Sequence, residues 1–148
     1  MDVSVIIVHY KTLSLTIDCI EKSKNISYEV IVVDNASNDG SAEELQKKFP
    51  HIRVIINSEN LGFGRANNIG IKAAQGDFLF LLNSDTVILD NILSRFLEIY
   101  YSFQREKIGV LGTLMLDRNG IDNYSNSYGQ FPNIWRFFRD LICGFCGF

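Results

Sequence analysis

Residues 3–10 read VSVIIVHY, an almost unbroken run of apolar, mostly β-branched side chains that ends in His9 and Tyr10. Such a run is typical of a central parallel strand that is buried on both faces. Comparable apolar runs follow at residues 30–33, 51–56, 78–82 and 108–116. Segments with helical spacing separate them, and the first helix is expected to bury Leu13, Ile17 and Ile20. This alternation predicts right-handed βαβ units: a parallel sheet with helices on both faces.

The boundaries of the helices are predicted from capping residues. Ser41 and Glu44 fit a capping box at the start of a second helix, which should stop before Pro50. A third helix is expected over residues 64–74, with Gly76 well placed to end it. A fourth is expected to follow Asp90 as its N-cap, with apolar residues at positions 93, 96, 97 and 100.

Length and composition bound the class of protein. The 148 residues suffice for about one domain, and 47% apolar with 21% charged residues is typical of globular chains. Fourteen basic and 17 acidic residues give a net charge of −3 without a basic cluster, which argues against nucleic-acid binding. No apolar run is long enough to span a bilayer and no secretion signal is evident, so we expect a cytoplasmic location. Cys143 and Cys146 form a C-x-x-C pair, interpreted as apolar packing.

Polar residues follow the first four predicted strands directly. They are His9 and Tyr10, Asp34 and Asn35, residues 57–60, and residues 83–85. In open parallel sheets, ligands bind beyond the carboxyl ends of the strands. If the ligand carries phosphates, Asp34 and Asp85 would repel it unless a divalent cation intervenes, and Mg²⁺ or Mn²⁺ prefers such oxygen ligands. The residues therefore favour a metal-assisted nucleotide site.

Other ligand sites and functions fit less well. Gly62 and Gly64 begin a G-x-G-x-x-G pattern, but its third glycine position is Asn67 and it follows the third strand, which disfavours a nicotinamide or flavin site. A phospho-receiver domain would need acidic pairs after strand one and a lysine after strand five. A nucleotidyltransferase would need a glycine-rich basic loop where only Lys11 stands. A binding or interaction module that uses the same fold without turnover is an alternative to an enzyme.

Four stretches together resemble the opening of inverting family 2 glycosyltransferases. They are VSVIIVHY (3–10), EVIVVDNASNDGS (29–41), NLGFGRANNIG (60–70) and GDFLFLLNSDT (76–86). The later segments GVLG (109–112), DRNG (117–120) and FP (131–132) are similar to the rhamnosyltransferase-like branch. The resemblance covers nearly the whole chain. It implies a GT-A fold, an α/β architecture with a mostly parallel sheet, that binds a nucleotide-diphospho-sugar.

The resemblance also implies roles for single residues. Asp34 would hold the base or ribose, and Asp85 would hold Mg²⁺ or Mn²⁺ on the diphosphate. The other nucleotide-binding residues would be His9 and Tyr10, lining the base pocket, with Asn60, Asn67 and Asn83. Two departures stand out, since Asn83 replaces the first Asp of the family's D-x-D motif and Asn67 stands where many members have Arg.

The implied reaction is transfer of a sugar, hexosyl or rhamnosyl, to a hydroxyl of a glycan or lipid-linked acceptor, in surface polysaccharide or cell-wall glycan synthesis. Peripheral contact with the inner face of a membrane would suit such an acceptor. The family's general base lies in the second half of its domain, so we expect it beyond Phe148. We accordingly expect residues 1–120 to form the donor-binding domain and residues 121–148 to begin an acceptor-side region. The apolar residues at 135–148 predict a homodimer.

Overall fold

The computed structural model describes residues 3–22, 29–86, 92–102 and 109–112. Its sheet has four strands: β1 (Val3–His9), β2 (Glu29–Asp34), β3 (Arg53–Ile56) and β4 (Phe78–Asn83). They lie in the order β3-β2-β1-β4, and every neighbouring pair is parallel. The GT-A-like α/β fold class expected from the sequence is confirmed.

β1 lies at the centre of the sheet because its sequence can be buried on both faces. All seven of its residues are buried, and it pairs with β2 on one side and β4 on the other. Its last residue, His9, stands in register with Asp34, the last residue of β2. The carboxyl ends of the two strands therefore meet side by side.

Three of the four described helices cover the two faces of the sheet. The described helices are α1 (Leu13–Lys22), α2 (Ser41–Lys48), α3 (Phe63–Ala73) and α4 (Ile92–Ser102). Gly70 of α3 packs on Ile6, whereas His9 reaches hydroxyls of α1 and α2. Because side chains alternate along a strand, Ile6 and His9 point to opposite faces. Thus α3 lies on one face and α1 with α2 on the other.

The core beneath α3 is built from β1, β2 and small helix residues. Val8, Ile31, Val33 and Ala66 form a buried cluster with Ile55, Ile69, Ala73 and Ala74 packed against it. Gly70 lies so close to Ile6 that a Cβ at this position would overlap the isoleucine side chain. The glycine is needed here for the close approach of helix and strand.

Two predicted helix signals are wrong. Gly40, with φ 80°, is the N-cap of α2 and has no side chain with which to cap it, and the Ser41 hydroxyl bonds His9 instead of the helix amides. Helix α3 ends at Ala73, since Ala74 already has extended backbone angles. Gly76 lies further on, where its N–H donates to the Ser4 hydroxyl at 2.9 Å.

Two further expectations are corrected in part. In α1 the fully buried residues are Thr16, Cys19 and Ile20, and Thr16 takes its interior place because its hydroxyl bonds His9. Residues 109–112 form no strand, contrary to the expected strand over 108–116. Glycines at both ends of this tetrapeptide weaken a strand. The rest of that segment, Asp90 and the C-x-x-C pair lie outside the described residues.

The chain divides into two units, residues 1–92 and 93–148, and the four strands lie in the first. The second contains most of α4, and the expected division at residue 120 stays a prediction. Across the described ranges, no helix combines the length and the apolar character needed to cross a membrane.

Candidate nucleotide site at the strand ends

The candidate site lies where the four parallel strands end. The strands finish at His9, Asp34, Ile56 and Asn83, and the connections that follow carry most of the polar residues singled out in the sequence. Asn35 N–H donates to the His9 carbonyl and Asn57 N–H to the Asp34 carbonyl, both at 2.8 Å. The sheet's hydrogen bonding thus continues into the connections and fixes their starting positions.

Asp34 is the buried carboxylate of this edge, with only 2% of the residue exposed. Its Oδ1 accepts the hydroxyl of Ser37, and the Ser37 N–H lies 3.3 Å from Oδ1 and 3.4 Å from Oδ2. The Ser37 hydroxyl oxygen in turn accepts the Lys11 N–H at 3.0 Å. Ser37 therefore links the connection after β1 to the carboxylate at the end of β2.

Backbone strain is concentrated in the same two connections. Lys11, Ala36 and Asn38 have φ values of 54°, 64° and 53°, in the left-handed region where a Cβ is unfavourable. They are the only non-glycine residues with positive φ in the described ranges. Strained backbone of this kind occurs preferentially at ligand-binding sites, where surrounding contacts maintain it.

His9 is completely buried beside Asp34. Its Nδ1 lies 2.8 Å from the Thr16 hydroxyl, its Nε2 lies 2.8 Å from the Ser41 hydroxyl, and Nε2 is 3.9 Å from Asp34 Oδ1. Burial lowers the pKa of His9, and this effect outweighs the opposing attraction of Asp34 and Asp39. The imidazole is therefore held neutral at physiological pH.

Asp39 stabilises the start of α2 from the preceding connection. Its Oδ1 accepts the Ser41 N–H at 3.1 Å, so it occupies one of the helix's free amides. Its contacts with Ser41, first with the hydroxyl and then with the N–H, lower the pKa of this exposed carboxyl group. Ser41 thus contacts both Asp39 and His9.

An asparagine cluster joins the connections after β2 and β3. Asn35 Oδ1 accepts from Asn57 Nδ2 at 3.0 Å and from the Leu61 N–H at 3.1 Å, while Asn35 Nδ2 donates to Asn60 Oδ1 at 2.7 Å. Asn60 Oδ1 also accepts the Gly62 N–H at 2.9 Å, just before α3 begins. These bonds set the position of the α3 N-terminus relative to Asp34.

Asn67 occupies a buried place on α3. Its Nδ2 donates to the Phe63 carbonyl at 3.0 Å, and Oδ1 has no hydrogen-bond partner within the described parts of the chain. A buried amide oxygen without a donor is unfavourable. Asn67 therefore has acceptor capacity to spare.

The turn after β4 brings Asn83, Ser84 and Asp85 to the same edge. The Ser84 hydroxyl lies 3.2 Å from that of Thr12, and the Asp85 side chain is exposed. Cys19 lies beneath, its Sγ 3.8 Å from the Asn83 carbonyl, and burial together with the charge of Asp85 raises its pKa to about 11. Among the residues that the structure describes, no three His, Cys, Asp or Glu side chains cluster to hold a metal.

The structure thus brings the predicted residues of β1 and β2 into contact and shows others that the sequence reading missed. Tyr10 is 41% exposed, with Lys11 Nζ 5.4 Å from its ring centroid. The polar residues missed as partners of the site are Thr12, Thr16, Ser37 and Ser41. The density of small polar residues over 35–41 was the available signal for two of them.

Comparison with known sequences supports the family that the four quoted stretches of sequence resemble. The sequence profile described as Glycosyl transferase family 2 matches residues 4–145. Glycosyltransferase GlyG of Streptococcus pneumoniae is 28% identical over 137 residues, which are 87% of this chain and 42% of that protein. The poly(ribitol-phosphate) beta-glucosyltransferase of Bacillus spizizenii is 31% identical over 115 residues, 72% of this chain and 18% of that protein. The chain thus spans less than half the length of these relatives.

Comparison with solved structures supports the fold. The crystal structure of TarS residues 1–349 from S. aureus superposes with a TM-score of 0.62 at 21% sequence identity. The match covers 77% of this chain and 39% of the TarS chain. At this level of identity the likeness establishes the shared architecture.

Proposed function

This chain belongs to glycosyl transferase family 2, and from that premise we propose that its strand-end site binds the nucleotide of a nucleotide-diphospho-sugar donor. The observation that carries the proposal is the buried Asp34 carboxylate, held by Ser37 at the edge where the parallel strands end. That edge is where sheets of this type bind ligands. The complete protein would transfer the sugar to an acceptor hydroxyl.

The nucleoside would contact the ends of β1 and β2. Asp34 Oδ2 is an acceptor for a base N–H or ribose hydroxyl, because the only partner it has in the described ranges is the Ser37 N–H at 3.4 Å. Tyr10 directly follows the buried His9 in the sequence. It is exposed, and its ring is available for stacking on the base. The amides of Asn60, Asn67 and Asn83 would complete the polar contacts.

Asp85 fits a metal that is shared with the substrate. Mg²⁺ in nucleotide sites is commonly held by one or two carboxylates together with phosphate oxygens and water. The exposed Asp85 carboxylate, with Asn83 two residues before it, supplies such a partial ligand set. When bound, Mg²⁺ or Mn²⁺ would stabilise the negative charge that develops on the departing nucleoside diphosphate.

The finer features of the reaction rest on the sequence resemblance. We propose inversion at the sugar and membership of the rhamnosyltransferase-like branch, supported by the GVLG, DRNG and FP segments. A glycan or lipid-linked acceptor in surface polysaccharide or cell-wall synthesis is supported by the names of relatives, which include a succinoglycan biosynthesis protein of Rhizobium meliloti. We propose that the general base lies beyond Phe148, in the second half of the family's domain. The homodimer, the cytoplasmic location and the membrane contact stay predictions.

Calorimetric titration of the chain with UDP, GDP and dTDP, each with and without Mn²⁺, tests the two carboxylates. Asp34→Asn should weaken binding about tenfold or more with or without metal, since a hydrogen bond to a charged group contributes about 1.5–3 kcal/mol. Asp85→Asn should remove the increase in affinity that Mn²⁺ produces. Asp18→Asn, at an exposed acid on α1, is the matched control and should bind like the wild type.

Two results would contradict the proposal. Identical metal dependence in all variants would show that Asp85 holds no metal. Wild-type affinity in Asp34→Asn would show that the nucleoside does not bind Asp34 at the end of β2. Binding of the donor by the complete protein without sugar transfer to any glycan would favour the alternative, a nucleotide-sugar-binding module.

A further inference from the structure

His9 is a buried polar residue for which the proposed donor contacts give no role. Its side chain is entirely inaccessible, so it has no surface to offer a ligand. Burying an imidazole is unfavourable unless its nitrogens are hydrogen-bonded, and both of them are. The ring therefore occupies a place built for it by α1 and α2.

The hydrogen bonds indicate which nitrogen carries the proton. The Thr16 hydroxyl lies 3.0 Å from the Thr12 carbonyl and donates to it, so its oxygen accepts the proton of His9 Nδ1. Nε2 then carries a lone pair and accepts the Ser41 hydroxyl at 2.8 Å. This assignment follows from the partners, as histidine tautomers must. The ring is fixed from both sides.

The fixed ring stands next to Asp34. The two residues are in register at the ends of β1 and β2, and Nε2 lies 3.9 Å from Oδ1, beyond hydrogen-bond distance. Ser37 occupies Oδ1 with its hydroxyl, which leaves Oδ2 with spare acceptor capacity. His9 thus limits the rotation of the Asp34 carboxylate. It does so without hydrogen-bonding Oδ2, the oxygen that a ligand would use.

We propose that His9 is a positioning residue for donor binding, which holds the Asp34 carboxylate with Oδ1 toward Ser37 and Oδ2 available to the nucleoside. The inference rests on the proposed function, because it assigns His9 an effect that acts through Asp34. Because His9 is fully buried, it would act on the nucleotide through Asp34, not by lining the base pocket as the sequence resemblance implies. The hydroxyls of Thr16 and Ser41 share the role by fixing the ring.

A double-mutant cycle on nucleotide affinity tests this. The variants His9→Leu, Asp34→Asn and their combination are titrated calorimetrically with UDP, GDP and dTDP. His9→Leu should weaken binding about fivefold to tenfold in the wild-type background, the effect of losing roughly one net hydrogen bond. In the Asp34→Asn background it should weaken binding less than about twofold, since the group through which it acts is changed. His9→Gln, which retains polar contact, should recover part of the affinity.

Ser4→Ala is the matched control for a purely structural effect. Ser4 is also fully buried and hydrogen-bonded on β1, but it lies at the opposite end of the strand. Its replacement should lower stability and leave nucleotide affinity unchanged in both backgrounds. If His9→Leu does not fold, Thr16→Val and Ser41→Ala each remove one ring partner and enter the same cycle.

The outcomes separate the two proposals. Equal losses from His9→Leu in both backgrounds, or no loss in either, would overturn the positioning role while the Asp34 assignment stands. Wild-type affinity in Asp34→Asn alone would overturn the proposed donor site and this inference with it.

Discussion

Gly70 of α3 lies against Ile6 of β1 with no room for a Cβ between helix and strand. The same face includes Val33, whose Cγ2 would be 3.3 Å from such a Cβ. The short distance between α3 and the sheet therefore depends on the absence of a Cβ at position 70. Because α3 begins next to the asparagine cluster, this contact also determines where the candidate site's third connection lies.

Gly70→Ala should therefore destabilise the fold. Overpacking a closed interior typically costs about 1–3 kcal/mol, more than alanine gains over glycine in a helix. Urea denaturation followed by circular dichroism measures the change. Gly64→Ala is the control in the same helix, because in the described part of the chain no atom outside its own helix backbone and its sequence neighbours lies within 4 Å of its Cβ position, and it should be neutral or stabilising. Equal stability of the two variants would contradict the packing argument.

Ala36→Gly should stabilise the protein. Ala36 has φ 64°, a conformation that costs an L-residue about 1 kcal/mol or more and costs glycine little. Thermal unfolding should show a gain of roughly 0.5–1 kcal/mol. Ala42→Gly, at a buried residue of α2, should lower stability by about 1 kcal/mol. A loss in both variants would mean that the conformation at position 36 carries no strain.

His9 should make stability fall in mild acid. Its pKa is lowered in the folded state, so below its ordinary value of 6.5 the unfolded chain takes up a proton that the folded chain resists. The contribution of neutral His9 to the free energy of unfolding is fully present above about pH 6.5 and is lost as the pH falls toward the folded-state pKa. Urea midpoints measured between about pH 7.5 and 5.5 should decline less in His9→Gln than in the wild type.

The chain's second histidine supplies the control for this pH experiment. His51 is exposed, and His51→Gln should retain the wild-type decline. If the stability of His9→Gln declines with pH as much as that of the wild type, the pH dependence arises from groups other than His9.

Cys19 should resist alkylation while the protein is folded. Burial, with a smaller effect from Asp85, raises its pKa to about 11, so little thiolate exists near neutrality. In a Cys143→Ser, Cys146→Ser background, iodoacetamide at about pH 8 should label Cys19 only after urea unfolds the chain. Rapid labelling of the folded protein would show that α1 opens readily or that the thiol is accessible.

The strands were predictable because each is an apolar run, and the position of the site followed from the ends of those runs. The partners within the site were not. Whether Ser41 caps its own helix or bonds His9 depends on the packing of α2 against β1, which no local pattern records. The burial of Thr16 was likewise not predictable, because the cost of burying its hydroxyl is offset by a hydrogen bond to His9 on another element. Local spacing reports periodicity, whereas hydroxyl partners are set by tertiary contacts.

The order of strands also dictates when the protein can become complete during synthesis. β1 is made first, yet its pairing with β4, from Val3 with Phe78 to Val8 with Asn83, must wait until three helices and two other strands have emerged. Closing so long a loop is entropically costly and slows folding. Until then one edge of β1, all of whose residues are buried in the folded protein, is open to association with other chains. The Thr12–Ser84 hydrogen bond, which joins the connection after β1 to the turn after β4, can form only when this delay is over.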